Sequence, residues 1–337
     1  MTDTAASEVC AAIRGATAVH VVGAGTHDEI GGRVDARTEV RAASGIVRFE
    51  PADMTVRVRA GTPVRELEAA LAERGQECVL DPRSPDATVG GVLATGLSGW
   101  RRLRHGPVRD VVLEVRFATG DGRVVRGGGP TVKNVTGYDI PRLMVGSMGT
   151  LGVLLDVTLR TRPLAEATAW AAVYGTVDEV PAALYRPSCV ASDGGATHVL
   201  LEGDARDVDE QQRAAGLRVS DPPRLPEGRH RGRASVAPGN VPALRARLRE
   251  IPVRWLAEVG VGTVHVGADR PEDLASARAA AERLGGWMLR EHGAPDLDPF
   301  GIALPNAGIM ARIKAALDPD GRLNPDRLPL NPASEAA

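Results

Sequence analysis

The sequence predicts an α+β protein in two parts, and three features predict it. Up to about residue 160 the chain is rich in glycine and in short strand-like runs that alternate with period two. From about Ala165 strand-like runs take turns with helical ones, the pattern of helices layered on one face of a mostly antiparallel sheet. Aromatic residues supply only 3% of the chain against 43% apolar residues overall, so the cores must be built from Ala, Val and Leu.

Residues 18–22 read as a short buried strand. Residues 46–50 and 55–60 flank Pro51-Ala52-Asp53 and predict a hairpin, because T-V-R-V-R alternates strictly. A helix follows, with Thr62 as N-cap and Pro63 at its first position. Val64, Leu67, Ala70 and Leu71 form its apolar stripe, and Gly75 closes it. Residues 111–118 and 123–126 predict a second hairpin around an Asp-Gly turn, and residues 153–159 a further strand. In the second part, strands are expected at 169–174, 198–202, 261–266 and 287–290, and helices at 177–185, 206–216, 241–250 and 271–284. Residues 221–228 hold three prolines and predict a surface loop, and a last helix is expected at 307–317.

The formal charge of -2 and pI near 6.4 leave no electrostatic footprint for nucleic acid. Cys10, Cys78 and Cys189 are odd in number and far apart, without the spacing of a zinc or iron–sulfur site, which fits a reducing cytoplasm. The first residues lack the basic and apolar regions of a secretion signal. No stretch approaches the ~20 apolar residues of a membrane helix, so membrane association is expected only through partners. No His/Cys/Asp cluster has metal-ligand spacing, so no metal is expected; His198, His265 and His292 read as ordinary side chains.

Three segments carry candidate chemistry. Val22-Gly23-Ala24-Gly25-Thr26-His27 follows a predicted strand, and its glycines can turn backbone N–H groups toward one anion. It is not a G-x-G-x-x-G fingerprint, because Asp28 stands where the last glycine belongs. Thr88 to Gly99 places small residues at 90, 91, 94, 96 and 99, which leaves room for an extended group or for close helix-on-sheet packing. The stretch from Lys133 to Gly152 holds four glycines with Lys133, Asn134, Tyr138 and Asp139, and Lys133 is one of only two lysines. Three such clusters in one half of the chain suit a large phosphorylated cofactor, which needs several separated contacts.

In order, G-A-G-T-H, T-V-G-G-V-L-A-T-G, R-H-G-P-V-R-D, K-N-V-T-G-Y-D and G-S-M-G-T-L-G-V resemble the flavin-binding half of the vanillyl-alcohol oxidase/PCMH superfamily. The Lys133–Gly152 stretch and the terminal L-D-P-D-G-R-L-N-P are also similar to the FAD-binding E subunits of bacterial glycolate oxidases. The resemblance implies a two-part PCMH-type FAD-binding domain over residues 1–163, a smaller α+β cap over 164–304, and a C-terminal helix and tail (305–337) returning to the first domain. It implies that Gly23, Ala24, Gly25, Thr26 and His27 form the pyrophosphate loop. Thr88, Val89, Gly90, Gly91 and Ala94 would lie along the ribityl and pyrophosphate portion, while Gly106 and Asp110 position the following strand. Lys133, Asn134, Gly137, Tyr138 and Asp139 would sit near the flavin, where Lys133 or an arginine can balance a reduced, anionic ring. Gly149, Leu151, Gly152 and Val153 would cover the adenosine end.

Some relatives attach flavin through a histidine in the first loop. Thr26 takes that place here and His27 follows it, so the expected FAD is non-covalent. The implied function is oxidation of a 2-hydroxy acid as the flavin-binding subunit of a glycolate oxidase or dehydrogenase, beside a catalytic flavoprotein and an iron–sulfur partner. A stand-alone FAD-linked dehydrogenase of another alcohol or sugar, or a silent FAD-binding assembly subunit, are the alternatives. Three departures stand out. Val22 replaces a usual cation before the first loop, Asn324-Pro325-Asp326 replaces N-P-G, and no H-x-x-x-G-D-G-N-x-H segment is present. No catalytic residue is named by the sequence.

Overall fold

The computed structural model describes residues 3–129, 137–178, 180–301 and 306–328. Helix α1 (Thr4–Gly15) is capped by Asp3, which accepts from Ala6 N. Strands β1 (Val19–Val21) and β2 (Thr38–Val40) form a short parallel pair. Strands β3 (Ile46–Glu50) and β4 (Thr55–Arg59) make a hairpin, followed by α2 (Val64–Ala72) and the two-residue β5 (Gln76–Glu77). Helix α3 (Val89–Thr95) and the single turn α4 (Arg102–His105) lead into the hairpin of β6 (Val112–Ala118) and β7 (Val124–Gly128). Helix α5 (Ile140–Met144) precedes β8 (Val153–Arg160), and β9 (Arg162–Pro163) pairs with β5.

The longer strands of this part form one antiparallel sheet in the order β3-β4-β8-β6-β7. Central β8 serves two packing layers. Leu154, Val157 and Leu159 join the core under α2 and α3, while Val153 and Leu155 meet α1. Truncating a fully buried member such as Leu93 to Ala would cost about 2–5 kcal/mol. Polar Asp156 is tolerated within β8 because Arg57 and Arg116 each bond it at 2.6 Å, and Arg116 also reaches the α1 cap Asp3.

The second part comprises β10 (Ala167–Tyr174), β11 (Cys189–Ser192), β12 (Ala196–Gly203), α6 (Ala205–Ala214), β13 (Arg218–Val219), β14 (His230–Ser235), α7 (Val241–Leu248), β15 (Val253–Glu258), β16 (Thr263–Ala268), α8 (Pro271–Glu282) and β17 (Trp287–His292). Its strands form one antiparallel sheet in the order β13-β10-β12-β11-β15-β16-β14-β17. Alternation decides which side chains reach the first part. In β16, Val264, Val266 and Ala268 pack under α7 and α8, so His265 points to the opposite face. Helix α9 (Ala307–Leu317) brings the chain back to the first part, where Leu323 bridges to Val19. Cys10, Cys78 and Cys189 are all buried free thiols.

Two expectations need correction. No helix occurs among the described residues of 177–185: Pro181 has no N–H to donate and disfavours helical backbone before it. Tyr185 N instead donates to the Gln211 side chain at 2.7 Å. Thr62 is not the cap of α2, which starts one residue later behind Pro63. Its hydroxyl donates to Arg59 O and accepts from Gly45 N, both at 2.8 Å, tying two loops together. Strands β11, β14 and β15 were not expected from the sequence. Segment 221–228 is an irregular loop.

Candidate functional site

The first cavity, about 260 Å³, is lined largely by glycine, alanine and other small residues. The turn after β1, the start of α3 and the segment from Ser147 through Gly149 to Val153 form its sides. Local packing explains the small residues. Thr88 Oγ1 caps α3 by accepting from Gly91 N at 3.1 Å, and Gly90 N donates to Ala60 O at 2.7 Å. A Cβ on Gly90 would lie 2.9 Å from Ala60 O, so α3 can approach the end of β4 only without a side chain there. Gly149 has φ +71, and a Cβ there would lie 2.7 Å from Asn324 Nδ2. Asn324, 1% exposed, clasps two walls: its Oδ1 accepts from Val21 N and its Nδ2 donates to Met148 O, both at 2.7 Å.

The donor set of this cavity suits an anion. Among the described residues, the backbone N–H groups from Gly23 to His27 have no acceptor. Arg41 donates to Gly23 O and Arg327 to Asp28 O, so both guanidinium groups stand at the turn. Arg327 is 7% exposed and its Nε has no partner among the described residues. These two arginines supply the positive charge that Val22 does not. A pyrophosphate fits such a ring of N–H donors and cations. Ile30, Val40, Ala42 and Leu154 make the rest of the cavity apolar.

The predicted residues divide. Gly23, Ala24, Gly25, Thr26, His27, Thr88, Gly90, Gly91, Ala94, Gly149, Gly152 and Val153 line the cavity. Val89 and Leu151 are buried in the core behind it. Gly106 lies against Asp110, and Asp110 is bonded to Arg142 at 3.4 Å, away from the cavity. Gly137 does not line it either; Tyr138 is 91% exposed, and Asp139 caps α5 by accepting from Arg142 N at 3.0 Å. Lys133 and Asn134 lie outside the described residues.

A second cavity, about 420 Å³, lies at the seam between the two parts and shares the turn from Gly25 to Asp28 with the first. Its other walls come from β14, β16, β17 and the loop before α3, and they carry the polar side chains of Arg83, Arg231, His265, Glu291 and His292. Arg83 Nη1 donates to both oxygens of Glu291, at 2.8 and 2.7 Å, and Arg83 Nη2 donates to His265 Nδ1 at 3.0 Å. His265 Nε2–H then donates to Glu258 Oε1 at 2.7 Å, the tautomer that satisfies both bonds. Burial, reinforced by Arg83, holds the His265 pKa below its ordinary value, so the ring is neutral at pH 7. Beside it Arg233 donates to Ser98 O at 3.1 Å, while its Nη1 has no partner among the described residues. Burial, then the neighbouring Arg83 charge, brings Arg233 down to about 10, so it remains a cation.

Arg83, Arg233, Glu258 and Glu291 were not singled out in the sequence, and His265 is, as expected, a buried strand residue with both ring nitrogens hydrogen-bonded. Alternating buried positions around a strand histidine were the available signal; H-R-G-R-A-S carries charge where a buried strand is normally apolar. His198 lies 3.7 Å from Asp193, and His292 pairs with Glu29 at 2.7 Å. Among the described residues no group of His, Cys, Asp and Glu is placed to hold a metal, and no helix is long and apolar enough to cross a membrane.

Comparison with known proteins agrees with the first cavity. Residues 2–128 match the family described as FAD binding domain. The chain is 41% identical over 164 residues to the glycolate oxidase subunit GlcE of Escherichia coli, covering 48% of this chain and 47% of that protein. It is 36% identical over 121 residues to a D-lactate dehydrogenase of Archaeoglobus fulgidus, covering 36% of this chain and 27% of that one. The matched stretch thus spans about half of the first relative and a smaller share of the second. Among solved structures, an alkyldihydroxyacetonephosphate synthase superposes with a TM-score of 0.67 at 15% identity, over 94% of this chain and 74% of that one. That likeness shows that the chain shares the fold of that protein.

Proposed function

We propose that this chain, whose N-terminal part is an FAD-binding domain of the vanillyl-alcohol oxidase/PCMH type, is the flavin-bearing subunit of an oxidase or dehydrogenase complex for a 2-hydroxy acid. The observation that carries this reading is a shared wall: one turn, Gly25 to Asp28, borders both the backbone cavity and the charged seam. A dinucleotide held there by its pyrophosphate has one end in the first cavity and the other at the seam. When bound, FAD supplies a two-electron acceptor.

The remaining work falls to the chain. The N–H groups of Gly23 to His27, with Arg41 and Arg327, hold the pyrophosphate, while Thr88, Gly90, Gly91 and Ala94 flank it. Gly149, Gly152 and Val153 cover the adenosine end. Thr26 occupies the position of covalent attachment in relatives, so FAD is held without a bond. Arg233 Nη1, buried and unengaged among the described residues, takes one oxygen of the substrate carboxylate as a charge-assisted bond. His265 Nδ1 takes the hydroxyl proton. Residues 1–163 act as the FAD-binding part, 164–304 as the cap, and 305–337 as the returning tail. Electrons leave toward an iron–sulfur partner, and a second flavoprotein subunit completes the complex, whose contacts give whatever membrane association it has.

Purified protein should be yellow, with the colour passing to the supernatant on acid precipitation. Anaerobic glycolate or D-lactate should bleach it, either alone or once the partner chains are added. Protein that neither retains nor takes up FAD would sink the reading, and a stable flavin that no 2-hydroxy acid bleaches in the complete complex would sink its substrate class.

A further inference from the structure

Four cavities share walls in a row. Arg83 and His265 border both the seam cavity and a small one of about 20 Å³, which is also lined by Asp81, Trp100 and Glu258. Asp81 and Trp100 in turn border a fourth cavity of about 200 Å³ between the two parts, beside Leu164, a residue 44% exposed. The small cavity has room for about one water, and its walls are polar enough to bind it.

Two features mark this cavity as built. Glu258 is 2% exposed, and with Oε1 taken by His265 its Oε2 has no partner among the described residues. Such an oxygen costs about 1–3 kcal/mol unless something donates to it. Asp81 has φ +48, in the left-handed region that a residue with a side chain rarely adopts. Its Oδ2 accepts from Arg101 N at 2.9 Å, and a Cβ on Gly99 would run into it. The chain thus holds a carboxylate, at a conformational cost, where the small and fourth cavities meet.

We propose that a buried water joins Glu258 Oε2 to Asp81, so that His265, Glu258, the water and Asp81 form a proton path from the seam cavity to solvent. The proposal deepens the 2-hydroxy acid reading and rests on it for the origin of the proton. With FAD bound, oxidation to the 2-oxo acid would give the α-hydrogen and its two electrons to the cofactor and would leave the hydroxyl proton for this chain to remove. The O–H bond breaks as that proton passes to His265 Nδ1, where a substrate oxygen takes the place of Arg83 Nη2. The proton on Nε2 passes to Glu258, then through the water to Asp81 and into the fourth cavity. Nothing else is oxidised or reduced.

The charged groups facing this path are Arg233 from β14, Glu291 from β17, Arg83 from the loop before α3, and Arg101, Glu77 and Glu202 around the fourth cavity. Burial and Arg83 keep His265 neutral, so it passes the proton on without storing it. Burial raises the Asp81 pKa, which makes its carboxylate a readier proton acceptor.

The test follows solvent exchange of the His265 Nε2 proton by NMR in FAD-loaded protein with isotope-labelled histidine, so no hydroxy acid is needed. Asp81→Asn should slow this exchange about tenfold, and Glu66→Gln on the exposed face of α2 should leave it unchanged. An unaltered rate in Asp81→Asn overturns the path. Should that variant not fold, a high-resolution crystal structure of the wild-type protein decides: a water bonded to both Glu258 and Asp81 supports the path, and an empty cavity overturns it. Failure of the functional reading looks different, because the flavin would then resist every 2-hydroxy acid while the exchange rates still fell as expected.

Discussion

The two cavities that meet at the Gly25–Asp28 turn are made in opposite ways. The first is rich in glycine and drawn from short contiguous stretches, in which the lack of a Cβ at positions such as Gly90 and Gly149 sets the shape. The second is side chain, drawn from three strands and a loop some 150 to 210 residues apart in sequence, as the separations of 182 between Arg83 and His265 and 208 between Arg83 and Glu291 show. A backbone site tolerates changes in side-chain chemistry and fails with added volume. A side-chain site tolerates volume at its margins and fails with a single lost charge.

Substitutions can break or sharpen this contrast. Asn324→Ala removes the bonds to Val21 N and Met148 O and leaves both groups buried, which should cost about 4 kcal/mol in urea unfolding and release FAD. A loss of under about 1 kcal/mol would mean the clasp does not hold the walls together. The fourth cavity, also built of side chains between the two parts, depends on charge, and so on pH. Burial acts to raise the Glu202 pKa, but bonds from His105 and Ser188 and the Arg101 charge outweigh it and hold the group at about 2. A depressed carboxylate contributes fully above its ordinary value near 4.5 and loses that contribution as pH falls through about 2. The unfolding free-energy gap between wild type and Glu202→Gln should therefore shrink by about 3 kcal/mol across that window. A gap independent of pH would contradict the arrangement.

Smaller effects separate the cavities directly. Gly90→Ala should cost about 2 kcal/mol, as the new Cβ presses on Ala60, and should lower FAD occupancy measured by absorbance. Tyr138→Phe, at a position 91% exposed and away from the cavity, should change stability by less than about 0.5 kcal/mol and leave FAD occupancy alone. Loss of FAD from the Tyr138 variant would show that the cofactor extends beyond the cavity described.

The contrast also explains what the sequence disclosed. Glycine turns and hairpins are local features, so much of the first cavity's lining and both hairpins were legible, as was helix α9 to its last residue. Strand β14 escaped notice because Arg231 and Arg233 interrupt its apolar pattern; Arg231 is exposed at the seam cavity, and buried Arg233 is held by Ser98 O. His265 was visible as a residue but not as part of a constellation, since Glu258, Arg83 and Glu291 reach it only through folding. Asn324 lies 303 residues from the Val21 amide it holds, and no local pattern carries such a contact. The helix expected at 177–185 failed for a local reason, Pro181, that deserved more weight than the apolar spacing.

The most direct test of a cofactor running from the backbone cavity to the charged seam is a crystal structure with FAD bound. The pyrophosphate should lie against the amides of Gly23 to His27, between Arg41 and Arg327, with the flavin ring at the seam beside His265 and Arg233. A ring placed away from the second part, or a pyrophosphate held by other residues, would contradict it.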